Sequence, residues 1–405
     1  MTSGFSAPDL PAPAARGMCT DCGLSRMGIE KSCGTACQFI QPDYPTAEAR
    51  IHGRARRHDE QFFGPVEAMH KAALKKPREG AQWTGLTTRL AQRLLETGAV
   101  DAVLCVGPDP EDRWKPRPIL VTEPQGMIEA RGMRMGYAPV LALLEPAEKA
   151  GHKRIAMIGI PCQVYALRQI EAQLGFERIY VIGTPCSDNT TTENFHDFLS
   201  RLSDAPETIR YLEFKPDFHV ELRFDDGRRQ DIPFLKLPLS DLDPDFFPLT
   251  CRTCVDYTNA LADITVGYMA GEGEQWLIVR NGRGREMLDA LGSEVKLSPV
   301  GTRGRRKGSV TGFMENTKRA AGGLPLRRMP DFMRGFMGWL MPKIGPRGLE
   351  FAKARLEMKA IETVLHLRRH HPKRMKHMVP RHVWSLVAPY GLAPEDGEQH
   401  ESPAE

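Results

Sequence analysis

The sequence predicts an α/β chain, α+β overall: a mixed, partly parallel sheet flanked by helices, with a cysteine-rich loop before it and a basic helical region after it. Three observations predict this. Amphipathic helical stretches alternate with short apolar strands between residues 83 and 182. A period-two alternation runs through residues 209–232 on either side of Asp226-Gly227, the pattern of an antiparallel hairpin. Beyond Gly301 the strand signal ends, and Pro330, Pro342, Pro346, Pro372 and Pro380 punctuate a Lys/Arg-rich helical sequence.

In chain order, residues 1–18 are rich in Pro and Ala and read as disordered. Residues 19–37 carry four cysteines among few apolar side chains, so they need a metal or a neighbour in order to fold. Leu86, Leu90, Leu94 and Leu95 mark one face of a helix that Gly98 ends and Thr84 would N-cap. Residues 101–106 then read as a buried strand. The alternation repeats with a helix over 137–150, a strand over 154–158, a helix over 163–174 and a strand over 178–182, which makes the strands largely parallel. Strands return at 263–268 and 276–279, followed by a helix at 283–291. The polar, acidic end reads as a disordered tail, and there is no internal repeat and no P-loop.

The chain has 405 residues, 41% hydrophobic and 26% charged, enough for two or three packed units. No stretch approaches the roughly 18–20 apolar residues that a bilayer span needs, and the start lacks the apolar core of a signal peptide, so a cytoplasmic location is expected. The net charge of +4 hides an asymmetry: residues 303–381 hold 20 Lys/Arg against five Asp/Glu. Such a segment favours an acidic protein partner, an anionic membrane surface or a nucleic acid.

Nine cysteines in a reducing compartment are metal ligands or redox groups rather than a disulfide framework. Cys19-x2-Cys22-x10-Cys33-x3-Cys37 places four thiols within one loop, which suits a 4Fe-4S cluster, with a four-thiolate zinc site as the rival. Cys162 and Cys186 each follow a predicted strand in a repeated Gly-x-Pro-Cys, so both should leave the same edge of the sheet, where α/β proteins build sites. With Cys251-x2-Cys254 they make a second set of four. The plainer reading of Cys162 and Cys186 is as small buried hydrophobes, and that reading is preferred for Cys105, inside a strand. Two clusters imply one-electron traffic feeding a centre that also handles electron pairs, such as a flavin.

Several stretches carry a family resemblance. Gly159-Ile-Pro-Cys-Gln163, Gly183-Thr-Pro-Cys-Ser-Asp-Asn189 and Cys251-Arg-Thr-Cys-Val-Asp-Tyr257 with Ala262-Asp263 resemble the beta subunit of the deazaflavin-reducing hydrogenases. Trp83-Thr-Gly-Leu-Thr-Thr88 with Val100-Asp-Ala-Val103 is similar to that family's amino-terminal half. Within the family, residues 256–269, Val279-Arg-Asn-Gly282 and Gly345-Pro-Arg-Gly-Leu-Glu-Phe351 resemble the ferredoxin-dependent 3,8-divinyl chlorophyllide 8-vinyl reductases and the related 7-hydroxymethyl chlorophyll reductases. The chain departs from its relatives at Gly132-Met-Arg134 and Ala138-Pro139, where they tend to have Gly-x-Lys and Ser-Pro.

The resemblance implies FAD beside two 4Fe-4S clusters, reduced ferredoxin as electron donor, and a chlorophyllide-type tetrapyrrole as substrate. It divides the chain into a cluster segment at 19–80, a flavin-binding amino-terminal family domain at 81–150, a carboxyl-terminal family domain with the second cluster at 151–300, a basic helical region at 301–390 and a tail at 391–405. Flavin contacts are expected from Gly85, Thr87 and Thr88 at a helix start and from Gln163 and Asn189. No nucleic acid is expected; peripheral contact with photosynthetic membranes and a homo-oligomer are both compatible. The tail motif favours the vinyl reductases, so the resemblance implies reduction of the 8-vinyl group to ethyl; the alternatives are reduction of 7-hydroxymethyl chlorophyll, a hydrogenase-type electron-transfer subunit acting on a deazaflavin and a zinc-stabilised nucleic-acid-binding protein. No catalytic acid stands out: Asp188, Asp256 and Asp263 lie near cysteine motifs, with Asp263 read as a cap or brace and His219 as structural. Phe332, Phe336, Trp339 and Leu340 recur at helical spacing and read first as core, then as a substrate slot or membrane-facing patch.

Overall fold

The computed structural model describes residues 4–11, 19–29, 33–40, 42–215, 219–268, 275–320 and 330–399. They fall into two units, one from Met1–Ser187, Asp256–Tyr268 and Glu274–Pro299, the other mainly from Asp188–Val255 and Val300–Glu405.

The first unit is built on a nine-stranded sheet. Its strands are β1 (Phe5–Ser6), β2 (Ala68–Leu74), β3 (Ala102–Pro108), β4 (Pro116–Val121), β5 (Arg154–Gly159), β6 (Arg178–Gly183), β10 (Ile264–Gly267), β11 (Gln275–Val279) and β12 (Val295–Pro299). They lie in the order β1-β4-β3-β5-β6-β10-β11-β2-β12. β3, β5, β6 and β10 run parallel, and antiparallel strands extend the sheet on both sides. The parallel strands are apolar throughout because both faces are covered. In β3, Ala102 and Leu104 enter one core and Val103 and Cys105 the other. Helix α5 (Pro161–Ile170) covers the first face with the short α1 (Cys33–Ala36) and α2 (Tyr44–His52), while α3 (Leu86–Glu96) and α8 (Gly282–Leu291) cover the second.

The mixed, partly parallel sheet agrees with the sequence reading; several details differ. Phe5–Ser6 pairs with β4, so the predicted disorder of residues 1–18 does not hold there, while residues 1–3 and 12–18 lie outside the described residues. The helix expected over 137–150 begins as a 3-10 turn at Val140–Leu143 and becomes α4 only at Leu144–Lys149. Thr84 does not cap α3: Gly85 is the N-cap, at φ +81°, and the Thr84 hydroxyl accepts the Leu74 N–H of β2 at 3.1 Å.

In the second unit the expected hairpin is a three-stranded antiparallel sheet of β7 (Ile209–Phe214), β8 (His219–Phe224) and β9 (Arg229–Pro233), with Asp226-Gly227 turning β8 into β9. It follows helix α6 (Thr192–Ser200), which Thr191 caps by accepting the Asn194 N–H at 3.2 Å. His219 starts β8, consistent with a structural role. The basic region is helical: α9 (Lys307–Ala320), α10 (Asp331–Ile344), α11 (Leu349–His370), α12 (Met375–Met378) and α13 (Arg381–Val387). α11 packs on α9 and α13. Arg306 ties this assembly by reaching Glu350 at 2.9 Å and Glu357 at 3.0 Å. The tail is held rather than loose as far as Asp396–Glu398, because Arg368 pairs with Glu398 at 2.7 Å. Among the described residues no helix is long and apolar enough to cross a membrane.

Candidate redox site

Cys19, Cys22, Cys33 and Cys37 are gathered in the first unit. Leu24, Met27 and Ala36 bury themselves among residues of the sheet and α5, so a neighbour supplies the apolar contact that the stretch lacks by itself. Gly23 makes the close approach possible: it stands at φ +106°, and a Cβ there would lie 2.5 Å from the Ala142 nitrogen. Asp21, a non-glycine residue at φ 45°, turns its N–H onto the Cys19 sulfur at 3.3 Å and holds Arg26 at 2.5 Å. Burial pushes the Cys22 thiol up to about 12 against the Leu24 N–H, which favours the thiolate; Cys19, Cys33 and Cys37 each press on it further. Burial also raises Cys37, opposed by the N–H groups of Phe39 and Ile40. Backbone N–H donors facing these sulfurs lower the cost of a thiolate, and a set of four thiols fits an iron-sulfur cluster. Among the described residues no group of three or more His, Cys, Asp or Glu side chains is arranged to hold a single metal ion.

Cys162 and Cys186 leave one end of the sheet. Gly159 and Gly183 are paired in register on β5 and β6, and each precedes its cysteine by three residues. Cys162 sits in the first turn of α5, and Cys186 donates its N–H to the Tyr257 carbonyl at 3.2 Å. Asn259, a non-glycine residue at φ 59°, secures this end by donating to the Gly159 carbonyl at 2.8 Å. Gln163, expected at the flavin, is committed at both ends of its amide: it accepts the Ile160 N–H at 3.1 Å and donates to the Ala138 carbonyl at 2.8 Å. Cys105 is buried in β3, as the plain reading has it.

Asp263 is a brace. Its fully buried carboxylate takes Arg168 at 2.8 Å, Arg283 at 2.9 Å, the Asn281 amide at 2.8 Å and the Val181 N–H at 2.8 Å. Burial alone would raise its pKa, but the two guanidinium groups carry it below the ordinary carboxylate value. Asp256, by contrast, is raised by burial and accepts the Ala260 N–H at 2.9 Å. Sequence reasoning missed Arg168 and Arg280. The signal for Arg168 was a lone arginine between the apolar Val164, Leu167 and Ile170 of one helix. Arg280, buried and lowered to about 10 by burial, donates to the carbonyls of Phe63, Pro65 and Thr258.

Cys251 and Cys254 belong to the second unit, so the second set of four is divided between the units. Cys251 lies in the turn α7 (Leu249–Arg252). Burial, reinforced by Asp188, pushes its thiol up to about 12, while the Asn189 N–H favours the thiolate. The predicted Asn189 therefore addresses a cysteine through its backbone, and its side chain accepts the Thr190 N–H at 2.9 Å. Asp188 is held by Lys359 of α11 at 2.5 Å, and Lys359 reaches Glu362 at 3.7 Å. Burial raises the Asp188 carboxyl against the pull of Lys359.

At the start of α3 no side chain caps the first turn. Thr88 spends its hydroxyl on the Gly85 carbonyl at 3.2 Å, and Thr87 is half-buried. Trp83, held at φ 52°, stacks on Tyr268 with ring centroids 5.4 Å apart, so the strained backbone before α3 presents a flat aromatic pair. Arg134 is half-buried; desolvation lowers it below the usual guanidinium value, and it donates to the Glu129 carbonyl at 3.0 Å.

A parallel-centred sheet with two Pro-Cys motifs at one end, and a thiol-rich loop packed against it, defines the class: an α/β chain with these cysteine motifs gathered on one sheet. The matches to known proteins give the family. The amino-terminal part of the coenzyme F420 hydrogenase/dehydrogenase beta subunit matches residues 69–145, and its carboxyl-terminal part matches residues 152–300. The chain belongs to this family. A protein of Oryza sativa named 7-hydroxymethyl chlorophyll a reductase, chloroplastic, is 37% identical over 93% of this chain and 83% of its own length. An uncharacterized protein of Nostoc sp. is 36% identical over 93% of this chain and 94% of its own. A component of the F(420)H(2) dehydrogenase of Methanosarcina mazei is 27% identical over 64% of this chain and 73% of its own. A chain of the F420-reducing [NiFe] hydrogenase complex from Methanosarcina barkeri shares the fold, with a TM-score of 0.53 at 19% identity, over 59% of this chain and 84% of that one.

Proposed function

We propose that this chain is a ferredoxin-dependent reductase of a chlorophyll-type pigment, and that it converts the 8-vinyl group of a 3,8-divinyl chlorophyllide or protochlorophyllide to ethyl. The observation that carries the pigment reading is the extent of likeness. The rice pigment reductase matches 93% of the chain, basic helical region included, whereas the F420-linked relatives from Methanosarcina match 54% and 64%. An electron-transfer subunit acting on a deazaflavin needs only the part that those relatives share.

The reaction adds two electrons and two protons across the vinyl C=C bond, and two reduced ferredoxins supply the electrons. In this reading Cys19, Cys22, Cys33 and Cys37 hold one 4Fe-4S cluster, and the remaining motif cysteines serve a second. Backbone N–H groups of Asp21, Leu24, Phe39 and Ile40 lower the cost of thiolate charge at the first. The uncapped N–H groups that open α3 behind Gly85 receive the pyrophosphate of FAD, with Trp83 and Tyr268 beside them. FAD supplies, when bound, the means of turning single electrons into a hydride equivalent. Ferredoxin docks on the exposed cations of the basic region, such as Arg303, Arg305, Lys307, Lys373 and Lys376.

The name of the rice relative favours a second reading, reduction of a 7-hydroxymethyl group to methyl with loss of water. The electrons and cysteines are the same, so only the pigment distinguishes the two. Purified chain, prepared anaerobically, should be incubated with reduced ferredoxin and either divinyl chlorophyllide or 7-hydroxymethyl chlorophyll. Formation of the 8-ethyl product is expected; a 7-methyl product alone selects the second reading, and turnover of neither pigment defeats both.

A further inference from the structure

Helix α10 shows an aromatic row to solvent. Phe332 is 77% exposed, Phe336 58% and Trp339 59%, which overturns the reading of this row as core. Spaced at i, i+4 and i+7, they share one face, and Lys343, the next position of that row, lies with its ammonium 3.5 Å from the Trp339 ring centroid. The exposed Met333 and Ile344 widen the apolar face. The fold is met from another side: a Cβ on Gly338 would stand 3.7 Å from Pro233 and 3.8 Å from Leu235, at the end of β9 and the turn that follows it. The aromatic row is therefore not the face by which α10 packs. Exposed apolar surface of this extent on a folded chain marks an interaction surface.

Charge selects the occupant. Lys343 sits in the row, Arg334 pairs with Asp331 within the helix, and the exposed Lys236 lies in the turn against which α10 packs. Over residues 327–347 the sequence has five Lys/Arg and one Asp. Flat aromatic side chains standing out from a helix, with cationic stems lying along them, match the boundary between headgroups and acyl chains. We propose that α10 is an interfacial helix that seats the second unit on an anionic lipid surface, with Phe332, Phe336 and Trp339 entering the acyl boundary and Lys236 and Lys343 meeting lipid phosphates. A bilayer accepts such a row without a matching pocket, which a protein partner would have to supply.

The test uses the full chain and no pigment or reductant, so its failure leaves the reductase reading standing. Flotation is measured with phosphatidylcholine vesicles, with and without phosphatidylglycerol. The chain should float with the anionic vesicles, less with the neutral ones, and less again at high salt. F336S/W339S should weaken partition about tenfold or more, with an unchanged melting temperature because both positions are exposed. K236E/K343E should weaken it on anionic vesicles only. Brominated acyl chains should quench fluorescence in the wild type and lose that quenching in W339F. Failure to float on anionic vesicles overturns the proposal, as does unchanged flotation of both double variants. A lipid-free oligomer that F336S/W339S dissolves also overturns it, since the row would then seat a second copy.

Discussion

His52 is fixed in one protonation state by its two hydrogen bonds. Its Nε2 donates to the Ala260 carbonyl at 2.9 Å, while Nδ1 accepts from the Asn281 amide at 3.1 Å. Asn281 cannot turn its oxygen towards the ring, because that oxygen already accepts the Gly284 N–H at 3.0 Å to cap α8. A second proton on His52 would meet an N–H donor, in a half-buried place and beside Arg280. Burial first and Arg280 next push its pKa down to about 3. The unfolded chain, with a histidine of about 6.5, therefore binds a proton that the folded chain refuses. Stability from this group is complete above about pH 6.5 and declines as the pH falls towards 3, by up to about 4 kcal/mol. Urea unfolding at pH 7 and pH 5 should show about 2 kcal/mol of that loss. H52N should be less stable at pH 7 but show a flatter dependence between the two pH values; an unchanged slope would mean that His52 is charged in the folded chain. None of this was legible from a histidine in a polar stretch, because its partners come from residues more than two hundred positions away.

At the scale of elements, the sequence is legible where apolar runs are continuous and misleading where packing overrides local preference. β5 and β6 announce themselves as Ile/Val-rich runs flanked by glycine. β2 reads Ala-Met-His-Lys-Ala-Ala-Leu, a helix-favouring composition made into a strand by β11 and β12 on either side. β4 was hidden by Pro116 and Pro118, which donate no ladder hydrogen bonds. The clustering of the loop's cysteines is legible in their spacing, but not the apolar anchor that seats it. Gly23 is that anchor's weak point: alanine there must hold a left-handed backbone and also displace the segment at Ala142. Gly23→Ala should cost about 2 kcal/mol or more of stability, seen as a lowered melting temperature. On the cluster reading it should also lose iron and sulfide, whereas Gly53→Ala, with nothing within 4 Å of its Cβ, should retain both. Full iron in Gly23→Ala would show that the loop's seating does not govern its cluster.

The whole molecule is electrically lopsided: residues 303–381 carry an excess of 15 positive charges, and the remainder is net negative. Much of the excess survives folding. Arg306, Arg334 and Lys359 are answered by carboxylates, while Arg303, Arg305, Lys307, Lys373 and Lys376 stand exposed. Exposed charges act over the Debye length, which shrinks from about 30 Å at 0.01 M salt to about 8 Å at 0.15 M. They therefore speed encounter with an acidic protein far more than they tighten any contact. If ferredoxin enters through this region, the ferredoxin-driven rate should fall about tenfold or more between those two salt concentrations, mainly in kcat/KM at limiting ferredoxin. Pigment reduction driven by a small neutral reductant should hardly change. Reversing Arg303, Arg305 and Lys307 to glutamate should lower the ferredoxin-driven rate at low salt and flatten its salt dependence, with the small-reductant rate preserved. Salt that slowed both electron sources equally would instead place its effect on pigment binding or on the fold, and would leave the basic region without a role in electron entry.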